Sequence, residues 1–271
     1  MSNHRFSGPY RQSLLKLYSQ CPRKFKLLEV DGVEVEVEKS GPLLIGSLVH
    51  EILNNFHKTG SVDIKEGDVP EEVASEVFEL TEEYIRNNAG LEVLHSEKEF
   101  SFNINSYPIS GTIDLIFKDK QGRIVLRDLK TDSSEPSPEF LARDIQFSLY
   151  YLGAIRGLNL TPDLIEWYHV RNAIPYKRKT TKNGVQFQPG DARANPSISV
   201  SRKIEDIPEI EREIRYIIQG IRFNIFPMRP LKWGRICFCD SCDVSDYCKP
   251  MGAIVEQRNE FSELEGFQGY F

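Results

Sequence analysis

The sequence predicts an α/β protein with a central mixed β-sheet flanked by helices. Three observations predict it. Residues 111–130, GTIDLIFKDKQGRIVLRDLK, read as two strands joined by a polar turn. Amphipathic helical patterns stand before and after them. A helix start at Ser137-Pro138-Glu139 separates these strands from a further strand at 165–170. The order is therefore helices, three strands, a helix, a strand and more helices, which is the pattern of a layered α/β core.

Taken in order, residues 12–28 have helical spacing, with Leu14, Leu15, Leu17 and Tyr18 before a Cys21-Pro22 break. Proline suits the start of a following turn or helix better than a helix interior. Residues 31–40 are acidic and Val-rich and are expected to be exposed. Residues 43–58 predict a strongly amphipathic helix, with Ile45, Leu48, Val49, Ile52, Leu53 and Phe56 filling one arc. His50 falls at the edge of that arc. Gly46, one turn earlier, permits close approach of another chain segment or a ligand. By position alone His50 reads as a boundary histidine with one satisfied nitrogen.

Residues 70–88 predict a second, acidic helix, and EKEFSFNIN alternates as a strand. In the hairpin, period-2 alternation surrounds the turn KDKQG. Symmetric pairing about Gln121 places Asp114 opposite Asp128, and cross-strand partners share a face. Lys130 lies on that face two residues further on. Two carboxylates and an amine would then meet on a surface otherwise built from Ile and Leu. Burying charge there is costly unless the charges are paired or hold a metal.

The helix expected over 138–157 places Gln146 and Tyr150 four apart, on one face. Residues 171–196 are polar, basic and rich in turn formers, and read as a long loop or β-excursion. SISVSRK suits a short strand. Residues 205–224 predict a helix, with isoleucines from Ile207 to Ile221 on one side. Residues 251–271 read as a peripheral tail. No internal repeat is visible.

The 271 residues are 40% hydrophobic and 27% charged, as expected of a globular protein, here read as a single domain with its core at about 43–170. No apolar run is long enough to span a bilayer. The N-terminus lacks the apolar core of a signal peptide, so an intracellular, cytoplasmic location is the expectation. A net charge of −6 does not advertise nucleic-acid binding, although the local field matters more than the sum. There is no P-loop sequence, so ATP-driven unwinding would have to come from a partner. Five cysteines are unevenly spread: Cys21 stands near the start, and Cys237, Cys239, Cys242 and Cys248 crowd near the end. In a reducing compartment such a cluster points to metal binding rather than disulfides.

Four short motifs fall in the order of one known superfamily. They are GSLVHEIL with His50, GTIDLI with Asp114, RDLKT with Asp128 and Lys130, and QFSLY with Gln146 and Tyr150. In these the chain resembles the PD-(D/E)XK nucleases, and within them the RecB-like group. Each motif alone is weak; four in order over 46–150, beside an independent hairpin reading, are strong. The resemblance implies a restriction-endonuclease-like core and a Mg²⁺- or Mn²⁺-dependent DNA exonuclease. It would act on single-stranded DNA or DNA ends, in recombination, repair or CRISPR-type adaptation. By the resemblance His50, Asp114, Asp128 and the Leu129 carbonyl would hold the cation, and Lys130 would orient water or stabilise charge on the phosphate. Gln146 and Tyr150 would position the nucleic acid or Lys130. Without the other motifs, the Asp/Lys set reads equally as a buried ion pair.

The spacing Cys239-x2-Cys242-x5-Cys248 with a lone Cys21 is that of the iron–sulfur subset of this group, which includes the AddB nuclease domain and CRISPR-adaptation nucleases. It implies a 4Fe–4S cluster joining the N- and C-terminal segments. Tetrahedral zinc is the alternative, and Cys237 competes with Cys239 as ligand. Basic residues suggest a path for a single strand: Lys177, Arg178, Lys179 and Lys182 with Tyr176, and Arg222, Arg229, Lys232 and Arg235 with Trp233. Each taken singly reads as well as a solvated face. Two other readings stand beside the nuclease. One is a non-cutting accessory subunit that grips DNA or a helicase or recombination partner. The other is a zinc-stabilised interaction domain.

Overall fold

The computed structural model describes residues 6, 9–35, 41–62, 70–131, 136–173, 176–181, 184–189, 196–228 and 242–248, with backbone only at 42 and 172–189. The chain divides into two compact units, Met1–Arg229 and Pro230–Phe271. The described part of the second unit is a short turn, Ser245–Tyr247, closed by the Cys248 N–H donating to the Val244 carbonyl at 3.1 Å.

The first unit is an α/β layer structure around a mixed sheet. Its longest strands, β2 (Glu92–Ile104) and β3 (Tyr107–Lys118), pair antiparallel as a hairpin. β3 also pairs antiparallel with β4 (Ile124–Lys130), and β1 (Tyr10–Arg11) lies parallel to β3 at Ile109 and Ser110. β4 runs parallel to β5 (Leu164–His169), which pairs antiparallel with β8 (Ser197–Val200). A parallel pair needs a crossover, and helices α5 (Pro138–Leu141) and α6 (Ile145–Leu152) supply it. The basic region expected as a loop or β-excursion forms a separate two-stranded hairpin, β6 (Tyr176–Thr181) and β7 (Gly184–Pro189).

Helices cover both faces of the sheet. Helices α1 (Gln12–Gln20), α2 (Pro22–Phe25) and α7 (Ile207–Arg222), with α6, bury Leu15, Phe25, Phe147, Ile214 and Ile218 against Ile116, Leu126 and Trp167. Helices α3 (Gly41–Thr59) and α4 (Glu71–Asn88) bury Val49, Leu53, Leu80 and Tyr84 against Leu129 and Tyr168. The isoleucine stripe of α7 and the apolar arc of α3 therefore face the core, as their 3.6-residue period requires.

One expected helix is broken. Residues 138–157 are not continuous, because Asp144 is extended (ψ 125°) and its side chain accepts the Gln146 N–H at 2.6 Å. An aspartate in this conformation caps a new helix rather than continuing an old one. The break puts Gln146 in the first turn of α6, and the chain then widens into a π-helical turn at Gly153–Gly157.

Candidate active site

The β3–β4 ladder has Leu115 opposite Arg127 and Ile116 opposite Leu126. One step further along that register, Asp114 faces Asp128. The regular pairing ends there, and the Asp114 carboxylate accepts the Leu129 N–H at 2.8 Å, a group the ladder would otherwise leave unpaired. Alternation along β4 sends Arg127 and Leu129 toward α3 and α4, and Asp128 and Lys130 toward α6.

Asp128 is 1% exposed. Its Oδ1 accepts from Lys130 Nζ at 2.8 Å, Gln146 Nε2 at 2.8 Å and the Tyr150 hydroxyl at 3.2 Å. Gln146 and Tyr150 sit one turn apart on α6 and are themselves 3.2 Å apart. Burial, and then the nearby Asp114 and Asp128 charges, hold the Tyr150 hydroxyl well above its ordinary pKa, so it is a donor throughout the physiological range. The Gln146 carbonyl oxygen accepts from Lys16 on α1.

His50 comes from the other helical layer. Its Nε2 lies 3.1 Å from the Leu129 carbonyl, and its Nδ1 lies 3.9 Å from Asp114 Oδ2. Burial and the Lys130 charge lower its pKa, which keeps the imidazole neutral and a lone pair available. The close approach of α3 is permitted by Gly46, where a Cβ would stand 3.0 Å from the Thr131 hydroxyl. The Leu129 carbonyl also accepts from Lys130 Nζ at 3.2 Å. Asp114 has its pKa raised to about 7, first by burial and then by the Asp128 charge, with Lys130 and the Leu129 N–H opposing.

The sequence reading missed Glu97. His50, Glu97 and Asp114 each offer one ligand atom, and these atoms lie within 4.8 Å of one another. A nitrogen and two carboxylates at that spacing fit a divalent cation. The 3.9 Å between His50 Nδ1 and Asp114 Oδ2 is too long for a hydrogen bond and leaves room for one ion to touch both atoms. Burial raises the Glu97 pKa. A cavity of about 840 Å³ is lined by His50, Asp114, Asp128, Lys130, Gln146 and Tyr150 and continues toward Arg11.

Cys21 lies between α1 and α2, where its sulfur accepts the Lys24 N–H at 3.4 Å. Cys242 and Cys248 are half-buried in the second unit. Cys237 and Cys239 lie outside the described residues, as do Lys182, Arg229, Lys232, Trp233 and Arg235. Tyr176, Lys177, Arg178 and Lys179 belong to β6, whose side chains are likewise outside the description. Arg222 donates to the Tyr107 hydroxyl and stacks 5.1 Å from its ring centroid. No helix among the described residues is long and apolar enough to cross a membrane.

Fold and site together describe an α/β protein with a side-chain set suited to a divalent cation beside a lysine. A family model for the PD-(D/E)XK nuclease superfamily matches residues 12–83 and 68–249, and the chain belongs to that superfamily. Nucleases of this superfamily use a divalent metal, and the His–Glu–Asp group fits one. No curated protein matches the chain. Solved structures include a candidate exonuclease from Eubacterium rectale, at 11% identity and TM-score 0.48, covering 92% of this chain and 94% of that one. The exonuclease LHK-Exo in complex with dAMP is 12% identical at TM-score 0.35, with 80% of this chain and 89% of that one covered. A phage-related exonuclease from Haemophilus somnus is 16% identical at TM-score 0.32, with 80% and 95% covered.

Proposed function

We propose that the chain is a divalent-cation-dependent DNA exonuclease that hydrolyses phosphodiester bonds at single strands or ends. The observation that carries this reading is the convergence of Asp114, Asp128 and Lys130 with His50 in one cavity. His50, Asp114, Asp128 and the Leu129 carbonyl would hold Mg²⁺ or Mn²⁺. When bound, that ion neutralises phosphate charge and lowers the pKa of an attacking water. Lys130, carried by Asp128, presents an ammonium to the charge that develops on the phosphate. Gln146 and Tyr150 keep the Asp128–Lys130 pair in one geometry through their hydrogen bonds to Asp128. The preference for DNA ends is supported by the RecB-like motif order.

The test uses 5′- and 3′-end-labelled single- and double-stranded oligonucleotides with Mg²⁺, Mn²⁺ or EDTA. Stepwise shortening that requires the cation and is lost in Asp128→Asn supports the reading. Tight DNA binding with no cleavage under any cation would instead establish the non-cutting accessory subunit. We also propose that Cys21, Cys239, Cys242 and Cys248 hold a 4Fe–4S cluster, which the cysteine spacing supports. Stoichiometric iron and acid-labile sulfide after anaerobic purification would sustain it. Zinc without iron would replace it with a zinc site.

A further inference from the structure

We infer that Glu97 is a direct protein ligand of the cation, supplying the second carboxylate that faces His50 and Asp114. The inference rests on the cation reading under the proposed function and goes beyond it by changing the ligand set.

Position carries it first. In the β2–β3 ladder Ser96 pairs with Leu115 and Lys98 with Ile113, so Glu97 falls opposite Asp114. A regular strand would pass that point with an ordinary extended residue. Glu97 instead adopts φ 48°, the left-handed region in which a non-glycine side chain is strained. Strain of this kind persists where the surrounding structure holds it, and it gathers at functional sites.

Helix α3 meets β2 beside Glu97. Asn54 lies one turn after His50 and so shares its face. Its Oδ1 accepts from the Ser96 hydroxyl at 2.8 Å. One face of α3 thus presents His50 to Asp114 and anchors the residue beside Glu97. That is how the three ligand atoms come within 4.8 Å of one another.

Asp128 is already engaged by side-chain donors. Its Oδ1 accepts from Lys130, Gln146 and Tyr150. That oxygen is committed to holding the lysine, whereas among the described residues Glu97 has no such set of donors around it. A hard cation prefers several oxygen ligands and gains affinity with ligand charge. Glu97 therefore contributes more to holding the cation than its distance from the motif residues in sequence suggests.

The experiment is Mn²⁺ titration of the full chain, followed by calorimetry and by the electron paramagnetic resonance signal of free Mn²⁺. The variants are Glu97→Gln, Glu97→Gly, Lys58→Met and Asp114→Asn. Among the described residues Lys58 is the cation whose charge lowers the Glu97 pKa, so its loss reports the local charge alone. Either Glu97 variant is expected to weaken Mn²⁺ binding about tenfold or more, because the site loses a ligand charge and, in glycine, the ligand atom as well. Glu97→Gly is expected to do so while keeping or raising the melting temperature in EDTA, because glycine is unstrained at this φ. Lys58→Met is expected to bind like wild type. Wild-type affinity in both Glu97 variants overturns the inference, and so does an equal loss in Lys58→Met. If Asp114→Asn loses Mn²⁺ while the Glu97 variants do not, only this inference fails. If the wild-type chain binds no Mn²⁺, the cation reading fails with it.

Discussion

The carboxylate of Asp114 accepts the backbone N–H of Leu129 at 2.8 Å, joining β3 to β4 where their ladder stops. One residue thereby carries two duties, closing the sheet and facing His50 and Glu97. The two separate by substitution. Asp114→Asn keeps an acceptor for the N–H and removes the charge. Asp114→Ala strands a buried donor, at a cost of about 1–3 kcal/mol. In chemical denaturation Asn is therefore expected to stay near wild type and Ala to fall below it, with cleavage and cation binding lost in both.

Asp128→Asn is expected to reduce cleavage of a labelled oligonucleotide by about 10²–10³-fold or more, because the Lys130 ammonium loses the charge that aims it. The amide still accepts from Tyr150, so circular dichroism should be unchanged. Retained cleavage by the purified variant would remove Asp128 from the site.

His57 gives a pH dependence away from the cation. Its Nε2 meets the Tyr84 hydroxyl at 3.0 Å, and burial followed by the Arg127 charge lowers its pKa to about 4. The unfolded chain has the ordinary value of 6.5, so it binds the proton more readily between those values. Stability is therefore full above pH 6.5 and lost as pH falls toward 4, by about 2–3 kcal/mol at most. His57→Gln is expected to flatten this limb of a urea-denaturation series. An unchanged limb would show that another group sets it.

Arg127 is 4% exposed. It donates to Glu166 at 2.6 Å, Tyr84 at 3.0 Å and Asn88 at 2.7 Å, and lies 4.2 Å from the Tyr168 ring centroid. Arg127→Met leaves Glu166 charged and unpaired, and is expected to cost about 3–5 kcal/mol. Adding Glu166→Leu is expected to recover most of that. Equal destabilisation in the single and double variants would sink the pairing argument.

Gly111 stands three residues before Asp114. A Cβ there would lie 2.4 Å from Gln12 Oε1 and 2.5 Å from Phe100 Cζ. Gly111→Ala is expected to destabilise by about 1–3 kcal/mol. It should also slow cleavage, because β3 carries the displacement to Asp114. A wild-type melting temperature would show that Gln12 yields instead.

Much of the site was legible because it is local. Period-2 alternation around a short turn sets register, so the facing of Asp114 and Asp128 followed from counting residues about Gln121. Helical spacing likewise put Gln146 and Tyr150 on one face. The helix break at Asp144 was missed because the apolar pattern continues across it. Its signal was an aspartate two residues before Gln146, where capping competes with propagation. Glu97 had no local mark at all, since a glutamate in an alternating strand ordinarily faces solvent.

Spacing along one or two elements is enough to read the α/β class, the hairpin, the apolar faces of α3 and α7 and the positions of the motif residues from His50 to Tyr150. Packing between layers, which that spacing does not carry, is what brings His50 and Asn54 of α3 to the β2–β3 edge. It also decided that Glu97 meets them with a left-handed backbone, and that Arg127 is a buried ion pair rather than a surface charge. These depend on how layers pack across the sheet, and side-chain contacts between layers leave no period in the chain that carries them.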